Sequence, residues 1–165
     1  GRPVIVARTF SKIAALAAMR VGYAIAPADV IQRMRPYTTS ASGVNVLAKF
    51  AAAASLKDTA GQADIRRKTI ALRTSTSKEL EAWGYPVIPS QTNFFMVSLH
   101  DKTVQPTIQA FREKNILVGR PFPPMLNHLR VSIGRDEDMA KFLTAFKEIF
   151  PKRAAVSSTA APVQR

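Results

Sequence analysis

Cysteine is absent from the 165-residue chain, and tryptophan occurs only once. Without cysteine, the sequence excludes disulfides, catalytic thiolates and cysteine-ligated metal sites, although this absence fits any cellular compartment. Long hydrophobic runs are also missing: no stretch of about 18 consecutive apolar residues occurs, so the sequence predicts no membrane-spanning helix. We expect a cytoplasmic protein without a membrane partner.

Negative charge is scarce, because 11 Asp and Glu residues stand against 24 Lys and Arg, for a formal net charge of +13 at pH 7. Such an excess can indicate nucleic-acid binding. Here the basic residues are scattered through apolar sequence, and the longest basic run, residues 66–68, has no aromatic residue interleaved with it. We therefore expect a solvated helix face and no nucleic-acid partner, and we assign part of the excess to small anionic ligands.

Hydrophobic residues make up 47% of the chain, which is a globular composition in a length sufficient for a real core. The sequence starts within an apolar run, residues 3–7, that is typical of a strand covered on both faces. A covered strand is not the natural outer edge of a small domain. We therefore expect this sequence to be the C-terminal part of a longer protein.

Lys12 has the most informative surroundings in the chain. It follows Thr9, Phe10 and Ser11, and Arg20 lies where the next strand-like run begins. A lysine amine can condense with an aldehyde as a Schiff base. The hydroxyls of Thr9 and Ser11 can donate hydrogen bonds to phosphate oxygens, and Arg20 can add a bidentate, charge-assisted contact. The cofactor that combines an aldehyde with a phosphate is pyridoxal phosphate, which this pattern favours.

The alternative for Lys12 is a solvated surface charge, the default for lysine in a chain this basic. Its neighbourhood weighs against that default. The stretch 13–19 is apolar, so we expect Lys12 to border a dry region. Burial disfavours a charged ammonium and would favour the neutral amine that imine chemistry requires.

The segment around Lys12 closely resembles the cofactor-lysine region of class I/II aminotransferases. The resemblance lies in residues 8–12 and 14–23, and within the family it is strongest to the histidinol-phosphate aminotransferase branch. One departure is Ala18, which stands where the family usually has glycine. This change concerns local backbone geometry rather than chemistry.

Two later stretches resemble the same family and follow in the family's order. Residues 90–97 (SQTNFFMV) are similar to the strand that enters the small domain, and residues 129–138 are similar to the segment with the substrate-carboxylate arginine. The resemblance extends from about Pro3 to Phe150. It implies the α/β fold of type I pyridoxal-phosphate transferases, a homodimer, and an amino acid and a 2-oxo acid as small-molecule substrates.

Element patterns divide the chain into two parts, and the resemblance implies the same division. Residues 1–71 would complete the large cofactor-binding domain, and residues 72–150 would form a small α/β domain with mostly antiparallel strands. The composition of residues 151–165 predicts a disordered tail.

Hydrophobic periodicity predicts a short helical turn at 13–19 and five helices, over residues 29–34, 44–56, 59–83, 103–114 and 136–150. It predicts six strands, over residues 3–7, 21–26, 85–88, 94–99, 116–118 and 129–133. Gly84 is expected to cap the long third helix, whose candidate inward positions are Ile65, Ile70, Leu72 and Leu80.

Arg130 lies in a strand pattern that places Leu129, Val131 and Ile133 on one face, and Arg130 with Ser132 on the other. An arginine under helix cover is costly unless it is paired. Spacing leaves open whether its partner is an internal acid or a substrate carboxylate held bidentately. The resemblance favours the carboxylate. With an amino-alcohol phosphate as substrate, Arg130 would face the phosphate instead.

Arg120 and Asn93 are two further candidates for substrate binding. Arg120 can contact a second anionic group or lie exposed at the domain rim. Asn93 precedes an apolar strand at a position that faces the site in this family, but it can also cap its own backbone. Tyr23 is expected in the core, and His100 and His128 lie too far apart in sequence to predict a metal site.

Three functional hypotheses follow from these patterns. In the first, a pyridoxal-phosphate aminotransferase, Lys12 holds the cofactor and then moves a proton as general base and acid. A decarboxylase or lyase of the same fold uses the same parts and differs in the bond that is aligned with the ring. The third hypothesis is a non-catalytic folding or interaction module. It arises because the resemblance implies an aspartate and a ring-stacking group upstream, and neither can be located in these residues.

Overall fold

The structure is a computed structural model that describes residues 3–38 and 43–154. The chain divides into two compact units, Gly1–Arg67 and Lys68–Arg165. Each unit combines helices with short antiparallel strands, and this confirms the expected α/β class. Among the described residues, no helix is both long and apolar enough to cross a bilayer.

The first unit begins with a two-stranded antiparallel sheet of β1 (Val6–Thr9) and β2 (Gly22–Ile25). A short 3-10 helix, Ala17–Met19, lies in the connection between them. The unit continues with helix α1 (Ala28–Met34), a 3-10 turn at Arg35–Tyr37 that contains Pro36, helix α2 (Val46–Lys57) and the start of α3 (Thr59–Ala82). Helix α2 begins at 46 because the Asn45 side chain accepts hydrogen bonds from the backbone N–H groups of Leu47 and Ala48, at 2.8 and 3.3 Å.

The prediction that β1 and β2 are buried is wrong for the described chain. Every residue of both strands is exposed, and Ile25 retains 59% of its accessible surface. In the part that the structure describes, this sheet has only these two strands, and their side chains remain exposed to solvent. The same holds for Tyr23, which is exposed rather than in the core, although its ring packs against Phe10 at 5.5 Å between centroids.

Helix α3 faces a core only through its later turns. Leu80 is 1% exposed and Leu72 packs against the core of the second unit, as expected. Ile65 and Ile70 are exposed instead. The helical spacing identified apolar positions correctly, but burial requires a packed neighbour, which a single-helix pattern does not reveal.

The second unit is a three-stranded antiparallel sheet in the order β3 (Val87–Ile88), β4 (Phe94–Ser98) and β5 (His128–Ser132). Helices α4 (Val104–Glu113) and α5 (Asp136–Ile149) complete it. One face of the sheet packs into the core, formed by residues that include Phe95, Val97, Leu129, Val131, Phe111, Phe142 and Phe146. The other face carries Phe94, Met96 and Arg130, with Met96 opposite Arg130 in the ladder.

The predicted strand at residues 116–118 does not form. The segment leaves α4 through Asn115, whose φ is +59°, and continues as an irregular connection. Its neighbour Gly119 donates one backbone hydrogen bond to the Arg130 carbonyl at 3.1 Å. An apolar three-residue run is too short to distinguish a strand from such a connection.

Residues 151–154, at the start of the predicted disordered tail, contact other parts of the second unit, and residues 155–165 lie outside the described part. The Arg153 N–H donates to the Trp83 carbonyl at 3.0 Å, and its guanidinium pairs with Asp101 at 3.0 Å. The Tyr85 hydroxyl donates to the Pro151 carbonyl at 3.0 Å. A composition rich in small and basic residues does not reveal these contacts, because their partners lie far away in sequence.

Replacing Gly84 by alanine should lower the free energy of unfolding by about 2 kcal/mol. Gly84 has a φ of +94°, and a Cβ there would lie 2.6 Å from the Arg153 carbonyl oxygen. Urea denaturation of Gly84→Ala measures the change, and Glu81→Ala, exposed in the same turn, is the matched control. Equal stability of the two variants would show that the backbone at Gly84 adapts without strain.

Candidate functional site

The residues predicted to hold a cofactor lie on the connection between β1 and β2. The ladder ends with Thr9 opposite Gly22, and a further backbone hydrogen bond joins the Phe10 N–H to the Val21 carbonyl at 3.4 Å. Because the two strands are antiparallel, this register brings Ser11 and Arg20 out of the same end of the sheet. Ser11, Lys12 and Arg20 therefore lie on the connection, and Thr9 is the last residue of β1 beside it.

The hydroxyls of Thr9 and Ser11 form a small donor cluster. The Thr9 hydroxyl donates to Ser11 Oγ at 2.8 Å and accepts the Ser11 backbone N–H at 3.1 Å. This arrangement fixes both oxygens and uses the Thr9 proton. The Ser11 hydroxyl proton has no acceptor among the described residues, so it can be donated to an anion.

Arg20 adopts a backbone conformation that is unusual for a residue with a side chain. Its φ is +51° and its ψ is 49°, which is the left-handed region. One guanidinium nitrogen donates to the Ala17 carbonyl at 2.5 Å. A left-handed residue other than glycine costs about 1 kcal/mol, and such strain is often retained at functional positions. The remaining N–H groups of Arg20 can bind an anion such as phosphate.

Lys12 is exposed, so the dry border expected for it is not provided by the described residues. The apolar stretch that follows does not cover the lysine, since Ala15, Ala17 and Ala18 are themselves exposed. The loop instead turns back at Lys12, whose carbonyl accepts the Ala15 N–H at 2.9 Å. The local position of Lys12 was predictable from its motif, but its burial was not.

Arg130 is the centre of a second group, which belongs to the second unit. As predicted, it lies on the face of β5 opposite Leu129 and Val131, which are both buried. Its guanidinium carbon lies 4.3 Å from the centre of the Phe94 ring. Its Nε is buried and has no hydrogen-bond partner among the described residues.

The internal ion pair considered for Arg130 does not form with any acid in residues 3–38 or 43–154. A buried N–H group without an acceptor is costly, because it has lost its hydrogen bond to water. Arg130 as a whole is only half-buried, and no described acid pairs with it, so its guanidinium could bind a carboxylate or a phosphate.

Arg120 is exposed and lies near Arg130 through a shared neighbour, Phe122. The guanidinium carbons of Arg120 and Arg130 lie 4.7 and 5.7 Å from the centre of the Phe122 ring. Arg120 also donates to the Pro121 carbonyl at 3.2 Å. Phe122 was not recognised from the sequence; the signal that could have found it is an aromatic residue close to an arginine in a proline-rich segment.

Asn93 is exposed at the start of β4, and its carbonyl accepts the Ile133 N–H at 2.9 Å. Its side chain is open to solvent, which is compatible with ligand binding. The loop before it is held by Arg73, a buried residue of α3 that donates to the Thr92 carbonyl at 2.6 Å. Arg73 was not recognised from the sequence, since a lone arginine in a helix does not reveal a distant carbonyl.

The two histidines make hydrogen bonds within the second unit. His100 Nε2 lies 2.9 Å from the Gly84 carbonyl, so this nitrogen carries the proton that is donated. His128 Nδ1 lies 2.8 Å from Asn127 Oδ1. These contacts give each imidazole a role in holding its local backbone or side-chain arrangement.

Comparison with known proteins relates the whole arrangement to one family. Residues 1–146 match the family described as aminotransferase class I and II. The histidinol-phosphate aminotransferase of Marinomonas sp. (strain MWYL1) is 37% identical over 151 residues, which cover 88% of this chain and 43% of that protein. The corresponding protein of Geobacter sp. (strain M21) is 38% identical, with 91% of this chain and 43% of that protein covered.

A solved structure shares the fold. The crystal structure of histidinol-phosphate aminotransferase from Sinorhizobium meliloti in complex with pyridoxal-5'-phosphate is similar with a TM-score of 0.76 and 27% sequence identity. The match covers 88% of this chain and 41% of that chain. The sequence therefore spans less than half the length of these relatives.

Proposed function

Because the chain belongs to the class I and II aminotransferase family, we propose that it provides the lysine-bearing part of a pyridoxal-phosphate aminotransferase site. The observation that carries the proposal is the loop between β1 and β2. This loop presents one amine, two hydroxyls and one guanidinium, from Lys12, Thr9, Ser11 and Arg20. The first unit would then be the end of the cofactor-binding domain, and the second unit the small domain.

The donor set of this loop fits pyridoxal phosphate. The Ser11 hydroxyl and the guanidinium of Arg20 can each donate to the phosphate, and the Thr9 hydroxyl fixes the position of Ser11. Lys12 is exposed, and its amine would react with the cofactor's aldehyde. A charge-assisted contact from Arg20 would account for its strained backbone, since binding energy can offset a local cost.

Pyridoxal phosphate supplies an aldehyde that exchanges amino groups and a ring that accepts the electron pair from a bond broken at the substrate's alpha carbon. Lys12 would hold this cofactor through its amine. With a substrate bound, the same amine would act as general base on the proton of the alpha carbon and as general acid at the cofactor carbon. Ser11 and Arg20 would hold the phosphate, with Thr9 fixing the Ser11 hydroxyl.

Arg130 binds the anionic end of the substrate in this proposal. An amino acid would present a carboxylate to its planar fork, whereas histidinol phosphate, the compound in the names of the relatives, would present a phosphate. Arg120 would also contact an anionic group of the substrate, and Asn93 would contact its remainder. The acceptor would be a 2-oxo acid, and the active form would be a homodimer.

Reduction with borohydride tests the covalent role of Lys12. We expect the intact protein, incubated with one equivalent of pyridoxal phosphate and then reduced, to carry the label on the peptide that contains Lys12. Excess inorganic phosphate should reduce the labelling, because it competes for Arg20 and Ser11. The control positions are the exposed lysines Lys57 and Lys102, which should remain unlabelled.

Label spread over exposed lysines in proportion to their accessibility would contradict the proposal. A separate measurement addresses the reaction type: a panel of amino donors is supplied with 2-oxo acids, and amino transfer is compared with release of carbon dioxide. Amino transfer without carbon dioxide is the expected result. Release of carbon dioxide in equal amount to the donor consumed would assign a decarboxylase instead.

A further inference from the structure

Phe122 lies against two guanidinium groups at once. Arg120 lies 4.7 Å and Arg130 5.7 Å from the centre of its ring, so the two cations are separated by no more than the sum of these distances. Arg130 also lies 4.3 Å from the centre of the Phe94 ring. Two arginines thus share one aromatic neighbour on the outer face of the three-stranded sheet.

No acid balances this pair of charges within the part of the chain that the structure describes. The two guanidiniums carry like charges, which repel each other. Carboxylates are the usual partners of arginine side chains. An aromatic ring offers another solution, because its negative face attracts a guanidinium that lies over it. A guanidinium that lies flat over a ring keeps the N–H groups at its edge available to an anion.

The ring of Phe122 is held by a short backbone network. Its carbonyl accepts the Met125 N–H at 2.8 Å, and the Leu126 N–H is bound to the Pro124 carbonyl at 2.9 Å. The same connection is joined to β5 where the Gly119 N–H donates to the Arg130 carbonyl at 3.1 Å. A Cβ at Gly119 would lie 2.8 Å from that carbonyl oxygen, so the connection and the strand approach as closely as glycine permits.

We propose that Phe122 is a positioning residue, which holds Arg120 and Arg130 with their N–H edges directed at one substrate anion, a carboxylate or a phosphate. The inference rests on the proposed function, since it assigns a determinant of substrate binding at that site. Phe122 acts through the two arginines and needs no contact with the reacting atoms.

The experiment compares Phe122→Leu with Phe122→Tyr, which keeps the ring. In protein labelled with ¹⁵N-arginine, the Nε–Hε signals of the two arginines are assigned with Arg120→Lys and Arg130→Lys. Inorganic phosphate and acetate are then titrated separately as probes. The titration needs neither cofactor nor turnover. Its outcome is therefore independent of the borohydride test: the anions can fail to bind although Lys12 is labelled, and they can bind although Lys12 is not labelled.

In the parent protein and in Phe122→Tyr, we expect at least one of the two anions to shift both signals with a common dissociation constant. In Phe122→Leu, that constant should rise about 5- to 10-fold, because one shared cation–π contact per arginine is lost. Leu117→Ala, which removes an exposed side chain in the same connection, should bind like the parent. Phe122 is itself 38% exposed, so the folded state should tolerate its replacement.

If Phe122→Leu unfolds, Phe122→Met replaces it, since methionine keeps the apolar length without the ring. Unchanged anion affinity in the folded ring-less variant would overturn the proposal. So would the failure of both anions to shift the two signals in the parent protein. An equal loss of affinity in Phe122→Tyr would also overturn it, because the ring would then not be the feature that matters.

Discussion

Replacing Lys12 by alanine should lower the rate of amino transfer by about 10³- to 10⁴-fold. General acid–base catalysis by a positioned side chain contributes at most about 10⁴-fold, and the variant also loses the covalent attachment that prepares the cofactor for exchange. The proposed phosphate ligands Ser11 and Arg20 remain, as does Thr9, which fixes Ser11. Cofactor binding should therefore weaken much less than turnover, and equilibrium dialysis with pyridoxal phosphate measures the difference.

A small amine added to the solution provides a sharper test of the role of Lys12. Methylamine can take over part of the proton transfer in Lys12→Ala, because the position of the lost side chain becomes accessible. We expect the rate of the variant to rise with amine concentration, while Lys57→Ala, the matched exposed lysine, behaves like the parent. Normal turnover by Lys12→Ala without added amine would show that another group does the chemistry.

Replacing Arg130 by lysine should lower kcat/KM for an anionic amino donor by about 10²-fold. This loss corresponds to about 2–3 kcal/mol, the scale of a charge-assisted, bidentate hydrogen bond. Lysine keeps the positive charge but lacks the planar fork, and it cannot lie on the Phe94 ring in the same way. The loss should appear mainly as a higher KM, because Arg130 would contact the anion in the bound substrate as well as in the transition state.

The anion dependence of that loss distinguishes recognition from general damage. For an anionic donor, kcat/KM should fall by the full factor of about 10² in Arg130→Lys. For the same donor without its carboxylate or phosphate, kcat/KM should change little. Arg112→Lys, an exposed arginine in α4, serves as the matched control. Equal losses for donors with and without the anion would mean that Arg130 supports the fold rather than the substrate.

The elements of the second unit were predictable because its strands and helices contain their own signals. Strand β5 alternates strictly, so the placement of Leu129 and Val131 inward and Arg130 outward followed from the two-residue period of a strand. Helix α5 begins at Asp136, where three acids occupy its first turn, as expected. The prediction of a strand at residues 116–118 was wrong, because a three-residue apolar run is too short to show a periodicity.

The positions of the candidate residues were predictable to different extents in the two units. Thr9, Ser11, Lys12 and Arg20 lie close together in sequence, so one motif indicated all four, and the structure places them at the end of β1 and in the connection that follows it. The partner of Arg130 was left open between two anions. The structure shows aromatic rings instead, from Phe94 and Phe122, which lie apart in the chain. No spacing rule connects residues that meet only through folding.

By itself the sequence determined the family, the order of the elements and the residues of the Lys12 loop, because each depends on neighbours a few positions apart. Only the tertiary structure decided which apolar residues are covered and what lies around each arginine. Burial depends on a second surface, and the exposure of β1, β2 and Lys12 shows that an apolar pattern does not supply one. The shared ring of Phe122 is likewise a contact between distant segments, which a linear pattern cannot encode.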